Sequence, residues 1–110
     1  MLQKRAVTKY VRVPPRKARY AADLIRGKSV EEAILQLRYS RLKAGRLLLK
    51  TLLSAVANAE SQLDVMRDEL KVMHVSIDCG PVIKRMKAGG KGSREPVAHR
   101  TSHFNVVVGK

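Results

Sequence analysis

Residues 84–100 read KRMKAGGKGSREPVAHR, and they contain six Lys or Arg, three Gly and almost no side chain that could build a core. Apolar runs rich in branched residues flank this stretch at residues 72–77 (VMHVSI) and 104–108 (FNVVV), and such runs favour strands. Two strands joined in this way predict a β-hairpin whose tip cannot bury itself in its own protein. Because the segment is strongly cationic, we expect it to contact a polyanion.

The composition points to nucleic acid as the partner. The chain of 110 residues carries 23 Lys and Arg against 9 Asp and Glu, a formal net charge of +14. Such an excess repels itself unless a partner neutralises it. The single cysteine, Cys79, excludes an internal disulfide and favours a reducing compartment. No apolar run reaches the roughly 18 residues of a membrane-spanning helix, so no membrane insertion is expected.

Residues 6–13 (AVTKYVRV) alternate in a way that predicts a strand. In this pattern Val7, Val11 and Val13 share one face. Two prolines follow, and proline donates no ladder hydrogen bond but is tolerated in the first turn of a helix. They therefore end the strand and begin a helix over residues 15–26.

Hydrophobic periodicity predicts three helices in all. The first ends at Gly27, the second begins at a capping box formed by Ser29 and Glu32, and the third covers residues 41–61. Their core-facing residues are expected to be Ala18, Ala21, Ala22, Ile25, Val30, Ala33, Ile34, Leu37, Leu48, Leu52, Ala55, Val56 and Ala59.

Motifs for metal, nucleotide or acid–base chemistry are weak. Cys79, His99 and His103 are candidate zinc ligands, but on a strand the two histidines lie roughly 13 Å apart, too far for one ion without a bend. Residues 89–92 (GGKG) lack the spacing and the following helix of a phosphate loop, and they favour a flexible hairpin tip. We therefore expect no metal, no cofactor and no enzymatic activity.

Three basic clusters remain: residues 4–28, a helix face with Lys43, Arg46 and Lys50, and the hairpin. Aromatic residues make up only 4% of the chain, which argues against a sheet that stacks bases. Binding through phosphates and shape fits better. A general basic nucleic-acid-binding or chaperone protein shares this charge and stays an alternative.

Five runs resemble the family of large-subunit ribosomal protein number twenty-two, of the bacterial or organellar type. They are residues 10–19 (YVRVPPRKAR), 22–28 (ADLIRGK), 53–60 (LSAVANAE), 78–85 (DCGPVIKR) and 100–108 (RTSHFNVVV). The chain departs from the family pattern at Pro14, where a serine cap is usual, and in the hairpin, where a Lys/Gly run replaces an Arg/Pro-rich one.

The resemblance implies an α+β fold: three helices packed on a small antiparallel sheet, with a long projecting β-hairpin. Residues 1–110 would form a single ribosomal-protein domain, with residues 80–104 as the extended hairpin. The implied function is that of a structural constituent of the large ribosomal subunit. Such a protein binds large-subunit ribosomal RNA during assembly, in the cytoplasm or in an organelle, and its hairpin lines the polypeptide exit tunnel. Further implied partners are neighbouring ribosomal proteins and the nascent polypeptide.

Charge and resemblance together indicate a set of RNA-binding residues. Arg16 and Arg19 are expected to face away from the alanine stripe, so that reversing their charge would leave the fold intact. The set on the body and the hairpin comprises Arg12, Arg16, Lys17, Arg19, Arg26, Lys28, Lys84, Arg85, Lys87, Lys91, Arg94 and Arg100, with Thr101, Ser102 and His103 as polar contacts.

Overall fold

In the computed structural model, three helices cover a three-stranded antiparallel sheet, and a separate two-stranded hairpin extends from it. The structure describes residues 3–110 except the side chains of Arg94 and Glu95. The predicted α+β fold is therefore confirmed. The elements in chain order are β1 (Gln3–Val11), α1 (Pro15–Ile25), α2 (Val30–Arg38), α3 (Lys43–Leu63), β2 (Lys71–Cys79), β3 (Ile83–Ala88), β4 (Arg94–His99) and β5 (Ser102–Gly109).

The two apolar runs that flank the basic segment form strands β2 and β5, and these two strands pair with each other in the sheet. The order is β1-β5-β2, and both neighbours run antiparallel to β5. Val75 pairs with Val106 and Ile77 with Phe104. Because the helices cover one face of the sheet, burial alternates along the first part of the central strand, with Phe104, Val106 and Val108 fully buried.

The face of β1 differs from the prediction. Ala6 is buried, whereas Val7 is 44% exposed. Tyr10 has a φ of 59°, and the pairing of β1 with β5 shifts register in the same stretch. This irregularity reverses the alternation, so Val11 and Val13 lie towards the core although Val7 does not. The predicted common face of these three valines is therefore wrong.

The helices match their predicted faces. Every core residue predicted on them is buried. The Ser29 hydroxyl accepts a hydrogen bond from the Glu32 amide at 3.4 Å, which is the serine half of the predicted capping box, and Gly27 has a φ of 78° after α1. The N-cap residue of α1, Pro14, provides no side-chain cap, in line with the missing serine.

The hairpin consists of β3 and β4, paired antiparallel from Ile83 with His99 to Ala88 with Arg94. The Gly89 amide donates to the Ser93 carbonyl at 2.6 Å and closes the turn. No residue of the hairpin strands whose side chain is described is buried. The molecule measures 62 × 24 × 17 Å, an elongated shape that fits the expected projection of the hairpin.

Candidate nucleic-acid interface

Hydrogen bonds fix the root of the hairpin to the body. The Gly80 amide donates to the Thr101 carbonyl at 2.9 Å, and the Thr101 hydroxyl donates to the Pro81 carbonyl at 2.6 Å. The Ser102 hydroxyl donates to the Val13 carbonyl, also at 2.6 Å. A Cβ at Gly80 would overlap the Thr101 hydroxyl oxygen, so the close approach of the segments after β2 and before β5 favours glycine here.

The polar residues after β4 therefore have partners inside the protein. Thr101 is 3% exposed and Ser102 is fully buried. His103 accepts a hydrogen bond from the Tyr10 amide through Nδ1 at 3.1 Å, and the two rings meet edge to face. The expected RNA contacts of the Thr101 and Ser102 hydroxyls do not fit this burial, and both residues instead position the hairpin.

A cationic cavity of about 450 Å³ lies where the hairpin joins the body, and we call it the hairpin-base cavity. Its four cations come from the β1–α1 connection, the start of α3, strand β3 and the residue after β4. None of them forms an ion pair within the described part of the chain, so their charge is available to a ligand. The lining residues are Arg12, Pro14, Lys43, Ile83, Arg85, Ala98, His99 and Arg100.

The starts of two helices lie beside this cavity and add positive potential. A second cavity of about 280 Å³ shares Arg12, Pro14 and Lys43 with it and also contains Lys17 and Leu42. Neither α1 nor α3 has a side-chain cap at its N-cap residue, and neither has an acidic residue in its first turn. The positive ends of the two helix dipoles therefore favour a phosphate at this junction.

The acidic residues that form ion pairs lie elsewhere. They are found at the last turn of α1, near the end of α3 and after α3, whereas the hairpin-base cavity lies at the start of both helices. Their exposed pairs stabilise the protein little. The pairs described are Asp23 with Arg26 at 2.5 Å, Glu60 with Arg67 at 3.1 Å and Glu69 with Lys110 at 3.8 Å.

Two arginines of the predicted set also hold the fold together. Arg19 donates to the Ile77 carbonyl at 3.3 Å, and Arg26 donates to the Val75 carbonyl at 3.1 Å. Both acceptors belong to β2, an edge strand of the sheet, and such contacts cover its unpaired carbonyls. Both Arg16 and Arg19 are exposed, as expected, but only Arg19 contacts β2, so reversing its charge would remove a hydrogen bond of the fold whereas reversing Arg16 would not.

The remaining cations divide between the body and the two faces of the hairpin. Lys17 is exposed on α1, and Lys28 is half-buried after it. Paired residues of a hairpin share a face, so the register places Arg85 and Lys87 on one face and Lys84 on the other. Lys91 is exposed at the tip, and the side chain of Arg94 lies outside the described residues.

In the sequence, Lys43 belongs only to a cationic face of the third helix. The structure brings it to Arg12 and to the hairpin, from which it is separated by many residues in the chain. No local pattern signals that meeting. The same holds for the 2.7 Å hydrogen bond between the Thr8 and Thr51 hydroxyls, which links β1 to α3.

Other kinds of site are not found in the described part of the chain. Within residues 3–110, leaving out the side chain of Glu95, no group of three or more His, Cys, Asp or Glu could hold a metal ion, and Cys79 is exposed. No described helix is long and apolar enough to cross a bilayer.

These features define a basic α+β protein whose projecting hairpin has a cationic root. The model of the family "Ribosomal protein L22p/L17e" matches residues 6–109, so the chain belongs to that family. The family comprises non-enzymatic ribosomal components, which confirms the expectation that the chain is not an enzyme.

Relatives support this membership along nearly the whole chain. The "Large ribosomal subunit protein uL22" of Protochlamydia amoebophila (strain UWE25) is 60% identical over 104 residues, 94% of each chain. Proteins of the same name from Chlamydia trachomatis serovar L2 and Chlamydia muridarum are 52% and 54% identical over 106 residues, 96% of each chain. These relatives are bacterial, which is one of the two types, bacterial or organellar, that the resemblance left open.

Proposed function

We propose that this chain is a structural constituent of the large ribosomal subunit and binds large-subunit ribosomal RNA during assembly. The observation that carries the proposal is the hairpin-base cavity, where four cations without ion-pair partners meet at the root of the hairpin. Residues 1–110 are taken as one functional unit, and the projecting arm is the paired part of the expected segment 80–104, from Ile83 to His99, because residues 102–104 belong to the sheet. Because the relatives are bacterial, we place the protein in cytoplasmic ribosomes.

Phosphate neutralisation is the proposed mode of binding. Arg12, Lys43, Arg85 and Arg100 surround a space open enough for a crossing of the RNA backbone. The exposed Arg16 and Lys17 extend this surface along the first turn of α1. Each contact releases counterions from the RNA, so binding weakens steeply as salt rises.

The hairpin is proposed to continue the interface away from the body. Its strands pair through their backbone but have no buried described side chain, so RNA must supply the packing that the chain lacks. Lys84, Lys87 and Lys91 are exposed along it, and Arg94 belongs to the same proposed set. Strand β3, from Ile83 to Ala88, covers roughly 17 Å before the turn at its tip, and we propose that this arm lines the exit tunnel beside the nascent polypeptide.

Competition binding tests this proposal against the general nucleic-acid alternative. The protein is bound to a large-subunit ribosomal RNA fragment at fixed salt, and duplex DNA is added in excess. We expect the complex to survive, because the cavity and the hairpin would recognise the shape of a folded RNA surface as well as its phosphate charge. Equal competition by DNA would contradict it and favour a general basic nucleic-acid-binding protein.

Some of the proposed RNA-binding arginines suit variants that separate binding from folding, and others do not. Arg19 and Arg26 contact β2, so their replacement would confound RNA binding with folding. Arg85 and Arg100 are exposed, and no side-chain partner is described for either. Variants at these two positions therefore report on binding and leave the fold intact.

A further inference from the structure

The exposed surface of α1 and α2 contains an apolar groove that the core does not use. Its volume is about 480 Å³, and its lining residues are Leu24, Leu35, Gln36, Tyr39, Ser40, Arg41 and Leu42. Tyr20 extends the apolar surface, because it lies one turn before Leu24 on the exposed side of α1. We call this surface the α1–α2 groove.

The apolar side chains of the groove are well exposed. Tyr39 is 79% exposed, Tyr20 56% and Leu35 54%. Single exposed apolar residues are normal on a protein surface. The lining residues of the groove, however, come from two helices and the loop that follows them, and they meet at one depression. A contiguous apolar surface of this kind marks a place where another molecule excludes water.

The charge beside the groove indicates which molecule that is. Glu31 and Glu32 lie one turn before Leu35 on the exposed side of α2, and neither forms an ion pair with a described residue. Two carboxylates repel an RNA backbone. A second copy of this chain fits poorly as well, because each copy carries +14. Arg41 is the only charged residue among the lining residues of the groove, and it precedes Leu42, which also lines the cavity at the starts of α1 and α3. The carboxylates therefore lie on the α2 rim, and the cation lies at the end towards that cavity. A protein segment with apolar side chains for the groove and cations for the α2 rim matches this arrangement.

The groove adjoins the proposed RNA interface. Leu42 lines both the groove and the cavity at the starts of α1 and α3. A protein seated in the groove therefore lies next to RNA bound at the hairpin root. This position suits a partner that is met inside the same ribonucleoprotein particle.

We propose that the α1–α2 groove receives an apolar, cationic segment of another protein of the same particle. Its apolar side chains lie against Leu24, Leu35 and Tyr39, and its cations lie beside Glu31 and Glu32. The inference rests on the proposed function, because the particle is where the two proteins meet.

Affinity for two targets tests the inference. Leu35→Glu is compared with the wild type and with Met66→Glu, a control that adds the same charge at another exposed apolar residue. One target is naked large-subunit ribosomal RNA, and the other is a particle assembled from that RNA and the other ribosomal proteins. We expect Leu35→Glu to bind naked RNA like the control and to bind the particle about tenfold more weakly. Unchanged binding to the particle would overturn the inference, and so would an equal loss on both targets.

Crosslinking identifies the occupant. Tyr39 is replaced by benzoylphenylalanine, particles are assembled with this variant, and the crosslinked product is identified by mass spectrometry. A crosslink to a basic ribosomal protein at an apolar segment supports the inference, whereas a crosslink to RNA or to a second copy overturns it. If the wild type shows no preference for ribosomal RNA over duplex DNA, the proposed function itself fails; a crosslink to RNA alone refutes only the groove's occupant.

Discussion

The hairpin-base cavity predicts a specific change in the salt dependence of RNA binding. Replacing Arg85 and Arg100 with Gln removes two cations that line the cavity and have no acidic partner in the described chain. Each phosphate contact contributes about 0.7 to 0.9 to the slope of log affinity against log salt. The slope of the double variant should therefore be shallower by roughly 1.5.

The size of this effect is measurable by filter binding or fluorescence anisotropy across a salt series. When salt is raised from about 50 to about 200 mM, the double variant should lose about tenfold less RNA affinity than the wild type loses. Because Arg85 and Arg100 are exposed, their replacement should leave thermal unfolding unchanged.

The control removes the same charge elsewhere. Arg38, at the end of α2, and Lys71, at the start of β2, are exposed and do not line the cavity. Replacing both with Gln should change the slope little. If the two double variants reduce the slope equally, RNA senses only the total charge of the protein, and the reasoning from the cavity is refuted.

Three further predictions concern the root, the edge strand and the tip of the hairpin. Gly80→Ala should destabilise the protein by about 1–3 kcal/mol in denaturant unfolding, because its Cβ meets the Thr101 hydroxyl, and Thr101→Ala should relieve part of that cost; strictly additive effects would contradict the proposed clash. Arg19→Gln should cost about 0.5–1.5 kcal/mol through its bond to β2, whereas Arg16→Gln should cost almost nothing, and equal thermal unfolding of the two variants would disprove this difference. Residues 87–95 should exchange their amide hydrogens rapidly in the free protein, since the tip has few buried contacts, and strong protection there without RNA would contradict the expectation.

Helix faces were predictable because each depends on neighbours within a few turns. The stripe that includes Ala18 and Ala22 follows from a period of 3.6 residues, and the cap at Ser29 needs only the amide of Glu32 three residues later. The hairpin was predictable for a similar reason, since two apolar runs enclose a segment that cannot be buried. The family resemblance, confirmed over residues 6–109, supplied the arrangement of these parts.

The face of β1 was not predictable in this way. Regular alternation placed Val7 with Val11 and Val13, but the positive φ at Tyr10 and the register shift beside it separate them. Such an irregularity depends on how β1 meets β5 and the ring of His103, which lies at the far end of the chain. The alternation of side chains along a strand gives no information about that long-range contact.

The sequence by itself determined the charge, the helix faces, the caps and the existence of a hairpin without a core, because these depend on composition and on short-range periodicity. Tertiary structure alone decided which cations act together. It placed Arg12, Lys43, Arg85 and Arg100 around one cavity, turned the Thr101 and Ser102 hydroxyls inward, and committed Arg19 to the edge of β2. The physical reason is that a charged or polar side chain finds its partner across the fold, and no local pattern encodes that distance.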